Sequence, residues 1–529
     1  MRVSRLGTFI VVLIAALAAW RLWRPPSNAG NLEIVPDAVE YAVAADRFAT
    51  HQGYNLLIDG VTYPSRYPPW FSVGIVAPVL YFARGELGAA ILPVFALGIV
   101  SILAAFAIGK RLAGTWGAAG AALALLLNPA FAALARRVMT DIPALAFGLV
   151  GCWLYLGRAD RRDDPTDGTT TRLRDALFAG LLGGAGFALR SECLAILVPF
   201  GWRILRSERR PAASFGLLAL PSLLVAAATA WYNAATFGDW RRSGYHYWCP
   251  NLFDVPGMAL GLRFVPRNLE TFLPAPRIAV LVFGAAGAIA LFVRHRENAR
   301  RAMSYLVFAA LPGTLLHLVY FYPGVRFHIF LLALASILGG AGLGSLAAMA
   351  ARGKLWPIPV LLALAAFVPP RDPLAPPYRR SVADALARET PSDAVIVTGL
   401  DSVFLEPYVL RGSSRTIVPA SRSVEYASKL VAPSRLRGVD LQPSESRSPR
   451  APEIRRAGAI DVFTAVATES PGMLASWVRA GRPVFIDESF LPEDAPLERI
   501  LDPSLIVVHN PRFSWLGELR VRSRDADHP

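Results

Sequence analysis

Long apolar runs separated by short basic loops fill residues 1–370. Apolar segments recur at 7–23, 88–109, 114–128, 141–157, 175–189, 192–205, 212–232, 276–293, 302–322, 326–349 and 355–370. A straight helical crossing needs roughly 20 such residues, so several boundaries are soft. The pattern predicts a polytopic all-α membrane protein with about eleven transmembrane helices. Residues 69–83, "PWFSVGIVAPVLYFA", are apolar as well, but they are few and follow a double proline. They predict a re-entrant or interfacial helix rather than a span. The opening run has the basic start and apolar body of a signal peptide. It ends, however, in Trp20, Arg21, Leu22 and Trp23, an aromatic and basic flank suited to the headgroup level. The reading is an uncleaved first helix.

After residue 371 the pattern changes, and no long apolar block follows. "DAVIVTG" (393–399), "RTIVP" (415–419), "RPVFID" (482–487) and "SLIVVHN" (504–510) read as short buried strands. "PGMLASWVRAG" (471–481) reads as an amphipathic helix with Pro near its start and Gly after its end. Strands alternating with helices predict a soluble α/β domain over 371–529, behind a transmembrane domain over 1–370 whose large first outer loop is 24–87. Residues 433–456, rich in Arg, Pro and Ser, read as a loose loop.

Charge sets the expected orientation. The chain carries a net +15, almost all of it from Arg. No basic stripe with interleaved aromatics appears, so nucleic acid is not an expected partner; membrane lipids are. With the N-terminus inside, the inner loops hold Lys110 and Arg111, the run from Arg158 to Arg174, Arg203 to Arg210, "RHRENARR" (294–301), and Arg352 with Lys354. These are the short Arg-dense loops, as the positive-inside rule requires. Counting 69–83 as a span would put Lys110 and Arg111 outside. The expected location is the plasma or inner membrane, with a cytoplasmic N-terminus and an extracytoplasmic C-terminal domain. Three cysteines, two of them in apolar segments, form neither a disulfide framework nor a metal knuckle.

Chemistry-bearing residues then collect on the outer face. In "PDAVEYAVAADRF" (36–48), Asp37, Tyr41, Ala44, Ala45 and Phe48 share a helical face, and Asp37 sits in the first turn, where the helix dipole favours a carboxylate. The competing reading is a capping residue on an amphipathic helix. "SRYPPWF" places Arg66 and Tyr67 before a forced extended entry: either an interface anchor or a contact to a lipid phosphate. "RRVMTDIP" brings Arg136, Arg137 and Asp141 to a helix start. "LRSECL" sets Arg190 and Glu192 between two apolar stretches with almost no loop, where charges must be paired or functional. Arg326 and His328 open another outer helix, and His328 reads as interfacial rather than a metal ligand. Together these groups describe a pocket for an anionic headgroup whose tail lies in the bilayer.

These stretches resemble the GT-C superfamily of integral-membrane glycosyltransferases, in particular bacterial relatives of the protein O-mannosyltransferases and of the aminoarabinose transferases acting on lipid A. The resemblance spans residues 1 to about 350. It rests on "PDAVEYAVAADRFATHQGYNLLIDGVTYPSRYPPWF", "RRVMTDIPALAF", "LRSECLAILVPF" and "YPGVRFHIFLLALASIL". The chain departs from the pattern at Ala38, where a second acid is common, and at Ser191, Phe327 and Trp70, where Pro, Tyr and Gly are common. The resemblance implies a mannose-like hexose or related pentose carried on a polyprenyl phosphate. The sugar passes with inversion, on the non-cytoplasmic face, to a hydroxyl of a protein, lipid or glycan acceptor. Asp37 is then the general base. Arg66, Tyr67, Arg190, Glu192 and Arg326, with Arg136 or Arg137, surround the lipid phosphate. Asp141 orients the acceptor, pairs an Arg or binds a metal ion; a divalent metal stays open and no other cofactor is expected.

Two other classes compete. A transporter of a lipid-linked or anionic substrate would place charge near mid-membrane, whereas here charge crowds one face. A non-catalytic scaffold displaying the C-terminal domain would not need Arg190 and Glu192 at a helix junction.

Overall fold

The computed structural model describes residues 5–27, 32, 37–58, 61–84, 86–159, 169–207, 211–248, 253, 259–322, 324–350, 378–398, 400, 405–410, 412–419, 473–490 and 501–522. The apolar segment 355–370 and the loop 433–456 lie outside them. The chain forms two compact units. One comprises 1–31, 69–232 and 260–375; the other comprises 32–68, 233–259 and 376–529.

The first unit is helical. Among the described residues, four helices are long and apolar enough to cross a membrane: Leu87–Leu127, Pro211–Phe237, Pro276–Arg294 and Val325–Met349. Shorter apolar helices run over Phe9–Leu22, within helix α1 (Arg5–Leu22), and over Pro69–Phe82 and Asp141–Gly157. Leu87–Leu127 is in fact two helices. Ala113 is non-helical and Gly114 has φ 68° and ψ −158°, a conformation natural only to glycine. A side chain on Gly109 would collide with the Gly117 carbonyl. Residues eight apart on a straight helix stand about 12 Å apart, so the chain doubles back here. The expected segments 88–109 and 114–128 are therefore separate helices, with Lys110 and Arg111 near the turn.

Pro69–Phe82 is about 21 Å long at 1.5 Å per residue, short of a ~30 Å hydrocarbon core. A wide π turn over Ser72–Val76 interrupts it. A second π turn, Leu306–Ala310, joins the helices Arg296–Tyr305 and Leu311–Leu318. The helix Ile329–Ala350 packs against both Ile91–Leu127 and Ala275–Arg294. Glycines permit it: Gly340 lies on the backbone of Gly120, and Gly287 on that of Gly339. Between apolar helices in lipid, such close backbone approach supplies the attraction. The outer faces of Pro211–Phe237 and Pro276–Arg294 are apolar and exposed, with Leu223 at 63% and Val293 at 79%. Such surfaces need lipid, and the chain is an integral membrane protein.

The second unit mixes helix and sheet. Helix α2 (Asp37–Ala49) buries every residue from Asp37 to Ala45. It packs on an antiparallel hairpin of β1 (Asn55–Ile58) and β2 (Val61–Pro64), in register Asn55 to Pro64. The sequence pattern did not predict this hairpin. The C-terminal segment contains β3 (Val395–Thr398), β4 (Thr416–Pro419), β5 (Val484–Asp487), β6 (Leu505–His509) and β7 (Leu516–Val521), in the sheet order β4-β3-β5-β7-β6. The first three are parallel; β7 runs antiparallel to β5 and β6. The four expected strands and the helix Met473–Arg479 are present, in an α/β arrangement. Strand β7 and the helix Tyr378–Glu389 were not anticipated.

Candidate functional site

The nominated residues fall into two clusters, one in each unit.

In the first unit, Asp141 begins the helix Asp141–Ala159 and is completely buried. Arg190 is the break between Thr169–Leu189 and the 3-10 turn Ser191–Ile196, with extended φ −151° and ψ 126°. That break aims its guanidinium sideways. Nη1 donates to Asp141 Oδ1 and Nε donates to Glu192 Oε1. Arg190 is thus paired with both Asp141 and Glu192. Asp141 Oδ2 is buried and has no hydrogen-bond partner among the described residues.

Phe327 joins this network to the next helix. Its ring lies 5.3 Å from the Arg190 Cζ and 5.0 Å from that of Arg326. The His317 ring stacks on it at 4.3 Å and 6°. A π face attracts cations, so one phenylalanine lets two arginines share a small space. Asp141, Arg190, Glu192, Thr314, Arg326 and Phe327 line a cavity of about 30 Å³, large enough for water. Phe327 and His317 were not read as site residues; an aromatic beside Arg326 was the available signal.

The adjacent arginines differ. Arg136 is buried, and its Nε and Nη2 donate to the Arg21 carbonyl at 3.2 and 2.5 Å. It therefore caps the last turn of α1, where carbonyls lack helical partners. Burial, then Arg24 and Arg21, push its pKa down to about 10. Arg137 is half-buried, its Nε lacks a hydrogen-bond partner, and no ion pair reaches it among the described residues. Burial pushes Arg137 down to about 10 against the upward pull of Asp141. It remains a cation at neutral pH.

In the second unit the centre is Glu40, which is absent from the site residues expected from sequence. Glu40 is buried and accepts from Ser65 Oγ at 3.0 Å, from the Arg66 backbone N–H at 2.5 Å, and from Arg66 Nε and Nη2 at 3.2 and 2.8 Å. Arg66 is therefore the counter-ion of Glu40. Tyr41, one residue on, stacks on Tyr67 at 4.3 Å. The Tyr54 hydroxyl bonds Ser65 Oγ and the Tyr67 carbonyl at 3.2 and 3.1 Å. From the other side, a side chain on Gly244 would come within 2.5 Å of Arg66 Cα, and Tyr245 meets Tyr67 edge-on at 5.8 Å. Asp37 is buried at the start of α2. It acts on Tyr67: burial first, then the Asp37 charge, raise the Tyr67 hydroxyl well above its usual pKa.

Among the described residues, no three His, Cys, Asp or Glu side chains gather in a way that could hold a metal ion. Asp141 forms an ion pair with Arg190.

Residues 75–233 match the model of the dolichyl-phosphate-mannose-protein mannosyltransferase family. No curated protein matches the chain in sequence. Among solved structures, ArnT from Cupriavidus metallidurans in the apo state is similar at a TM-score of 0.54 and 15% identity, over 97% of this chain and 98% of that one. The same enzyme bound to undecaprenyl phosphate is similar at 0.52 and 13%, over 99% of both chains. The chain is thus similar to ArnT in fold.

Proposed function

We propose that this protein transfers a sugar, a mannose-like hexose or related pentose, from a polyprenyl-phosphate donor to a hydroxyl acceptor on the non-cytoplasmic face. The observation that carries the reading is the cluster at the outer helix ends. It holds three cations, Arg137, Arg190 and Arg326, against two carboxylates, Asp141 and Glu192, and among the described residues the Arg137 Nε has no hydrogen-bond partner. Such a cluster suits an anion. The family matched over 75–233 is named for a dolichyl-phosphate sugar donor, and one ArnT structure is named for its bound undecaprenyl phosphate. Both support a lipid phosphate as that anion.

The acceptor hydroxyl attacks the anomeric carbon and gives its proton to the Asp37 carboxylate, the general base. The bond from the anomeric carbon to the phosphate oxygen breaks, its electron pair leaves with the phosphate, and the configuration inverts. A phosphate monoester leaves as a stabilised anion, so the step needs cations rather than an acid; preorganised charge of this kind is a large catalytic term. Arg137 is the cation best suited to the leaving phosphate. Arg190 and Arg326 supply further field, while Arg136 and Arg66 hold the protein. The C-terminal domain is extracytoplasmic and the N-terminus cytoplasmic.

The test is sugar transfer in proteoliposomes with a panel of polyprenyl-phosphate sugars and a membrane extract as acceptor source. Release of free polyprenyl phosphate by wild type, and not by folded Asp37→Asn, supports the reading. Absence of both release and donor binding across the panel overturns it and favours a transporter.

A further inference from the structure

Glu40 makes more contacts than an interfacial helix requires. It is 1% exposed, and a buried carboxylate is retained only when hydrogen-bonded and paired. Among the described residues, its acceptor contacts go to two consecutive residues, Ser65 and Arg66. One of them is a backbone N–H, so the carboxylate fixes the chain path and not merely a side chain. The residue that follows, Tyr67, is held by the Tyr41 ring below and by Tyr54 through its carbonyl. Asp37, Glu40 and Tyr41 stand at i, i+3 and i+4 on α2, which places them on one face. The turn at 65–67 and the start of α2 are therefore tied together by these contacts. Gly244 closes it from the opposite side, where only a glycine fits against Arg66.

We infer that Glu40 is the positioning carboxylate of this unit: through Arg66 and the Ser65–Tyr67 backbone it holds Tyr67 against Tyr41 in the first turns of α2, the helix that Asp37 begins, and Arg66 serves as its counter-ion rather than as a ligand of the donor phosphate. This deepens the proposed transfer reaction and rests on Asp37 as its base. A misplaced reacting group costs rate without weakening substrate binding. Glu40 is thus expected to act on kcat and to leave the donor KM alone.

Two measurements on the full-length protein test this. The first does not depend on activity. Hydrogen–deuterium exchange over residues 61–68 is compared in wild type, Glu40→Gln and Glu40→Ala, each screened for a monodisperse folded peak. Glu40→Gln keeps an acceptor oxygen for Ser65 and the Arg66 N–H. Faster exchange in Glu40→Ala, with an intermediate rate in Glu40→Gln, is expected; unchanged exchange in Glu40→Ala overturns the inference. The second is kinetic, with Glu40→Ala, Arg66→Ala and the double variant. Each single change should lower kcat about 10–100-fold with donor KM within about threefold, and the double should be no worse than the worse single, because the two act as a unit. Additive losses, or an Arg66→Ala variant whose donor KM rises about tenfold or more at unchanged kcat, overturn it. A wild type inactive on every donor defeats the transfer reading instead, and the exchange measurement still decides the role of Glu40.

Discussion

Arg190 donates to Asp141 and to Glu192 at once, so a single guanidinium ties the start of the Asp141–Ala159 helix to the break after Leu189. Asp141 is fully buried and Arg190 nearly so. Removing one partner leaves an uncompensated charge in a low-dielectric setting. Arg190→Ala should destabilise the protein by about 3–5 kcal/mol, read as a lowered midpoint of thermal unfolding in detergent. Arg190→Lys should recover only part of the loss, since an ammonium cannot reproduce the two-armed geometry.

Asp37→Asn should lower sugar transfer about 10²–10⁴-fold. Donor binding and the unfolding midpoint should stay near wild type. Equilibrium binding of a labelled polyprenyl-phosphate sugar, run beside the transfer assay, separates the two effects.

Arg136 and Arg137 are neighbours with opposite expected phenotypes. Arg136→Ala uncaps α1 and should cost about 1.5–3 kcal/mol, the range for hydrogen bonds to charged groups, with little change in donor affinity. Arg137→Ala should weaken donor binding about tenfold or more, as loss of one charged contact does, and leave the unfolding midpoint in place. Because Arg137 titrates at about 10, donor affinity should not change through this group between pH 6 and 8. A binding isotherm at each pH checks it.

Asp487, at the end of β5, is buried and accepts from the Thr398 and Ser489 hydroxyls. Burial raises its pKa, and the hydrogen bonds from Ser489 and Thr398 only partly oppose the rise. A raised folded pKa means the neutral carboxyl suits the fold better. Its stabilising contribution is complete below the unfolded value and is lost as pH rises through the folded one. Relative to wild type, Asp487→Asn should therefore gain stability as pH rises from about 4 to 7. Thermal unfolding of the pair across that range gives the sign.

Gly340 has no room for a side chain, since a Cβ there would strike the Gly120 backbone and lie 2.7 Å from Ala124. Gly340→Val should separate the two helices and cost about 1–3 kcal/mol or more through overpacking. The fall in detergent-solubilised folded protein measures it.

The helical unit was legible because its signal is composition over long windows. Twenty apolar residues can satisfy their backbone only as helix, whatever surrounds them. The break at Ala113 and Gly114 was legible for the same reason: Lys110 and Arg111 interrupt the apolar run. Strands β3 to β6 were legible as short β-branched runs. Strand β7, "LGELRV", was not, because its exposed face carries Glu518 and Arg520. The hairpin at 55–64 was missed because two four-residue strands in a polar loop carry almost no periodicity.

The sequence by itself determined that this chain lives in a membrane, which loops carry its charge, and which residue types stand at the helix ends. Those are properties of local composition and of the transfer of charge and apolar surface between water and lipid. Which charge answers which was decided only by the tertiary structure. Arg66 lies 26 positions from Glu40, and Arg190 lies 49 from Asp141. Nothing local distinguishes Arg136, which caps a helix through the distant Arg21 carbonyl, from Arg137, whose Nε has no hydrogen-bond partner among the described residues. An arginine is a charge on a long flexible arm, and only the packed positions of other helices determine what lies within its reach.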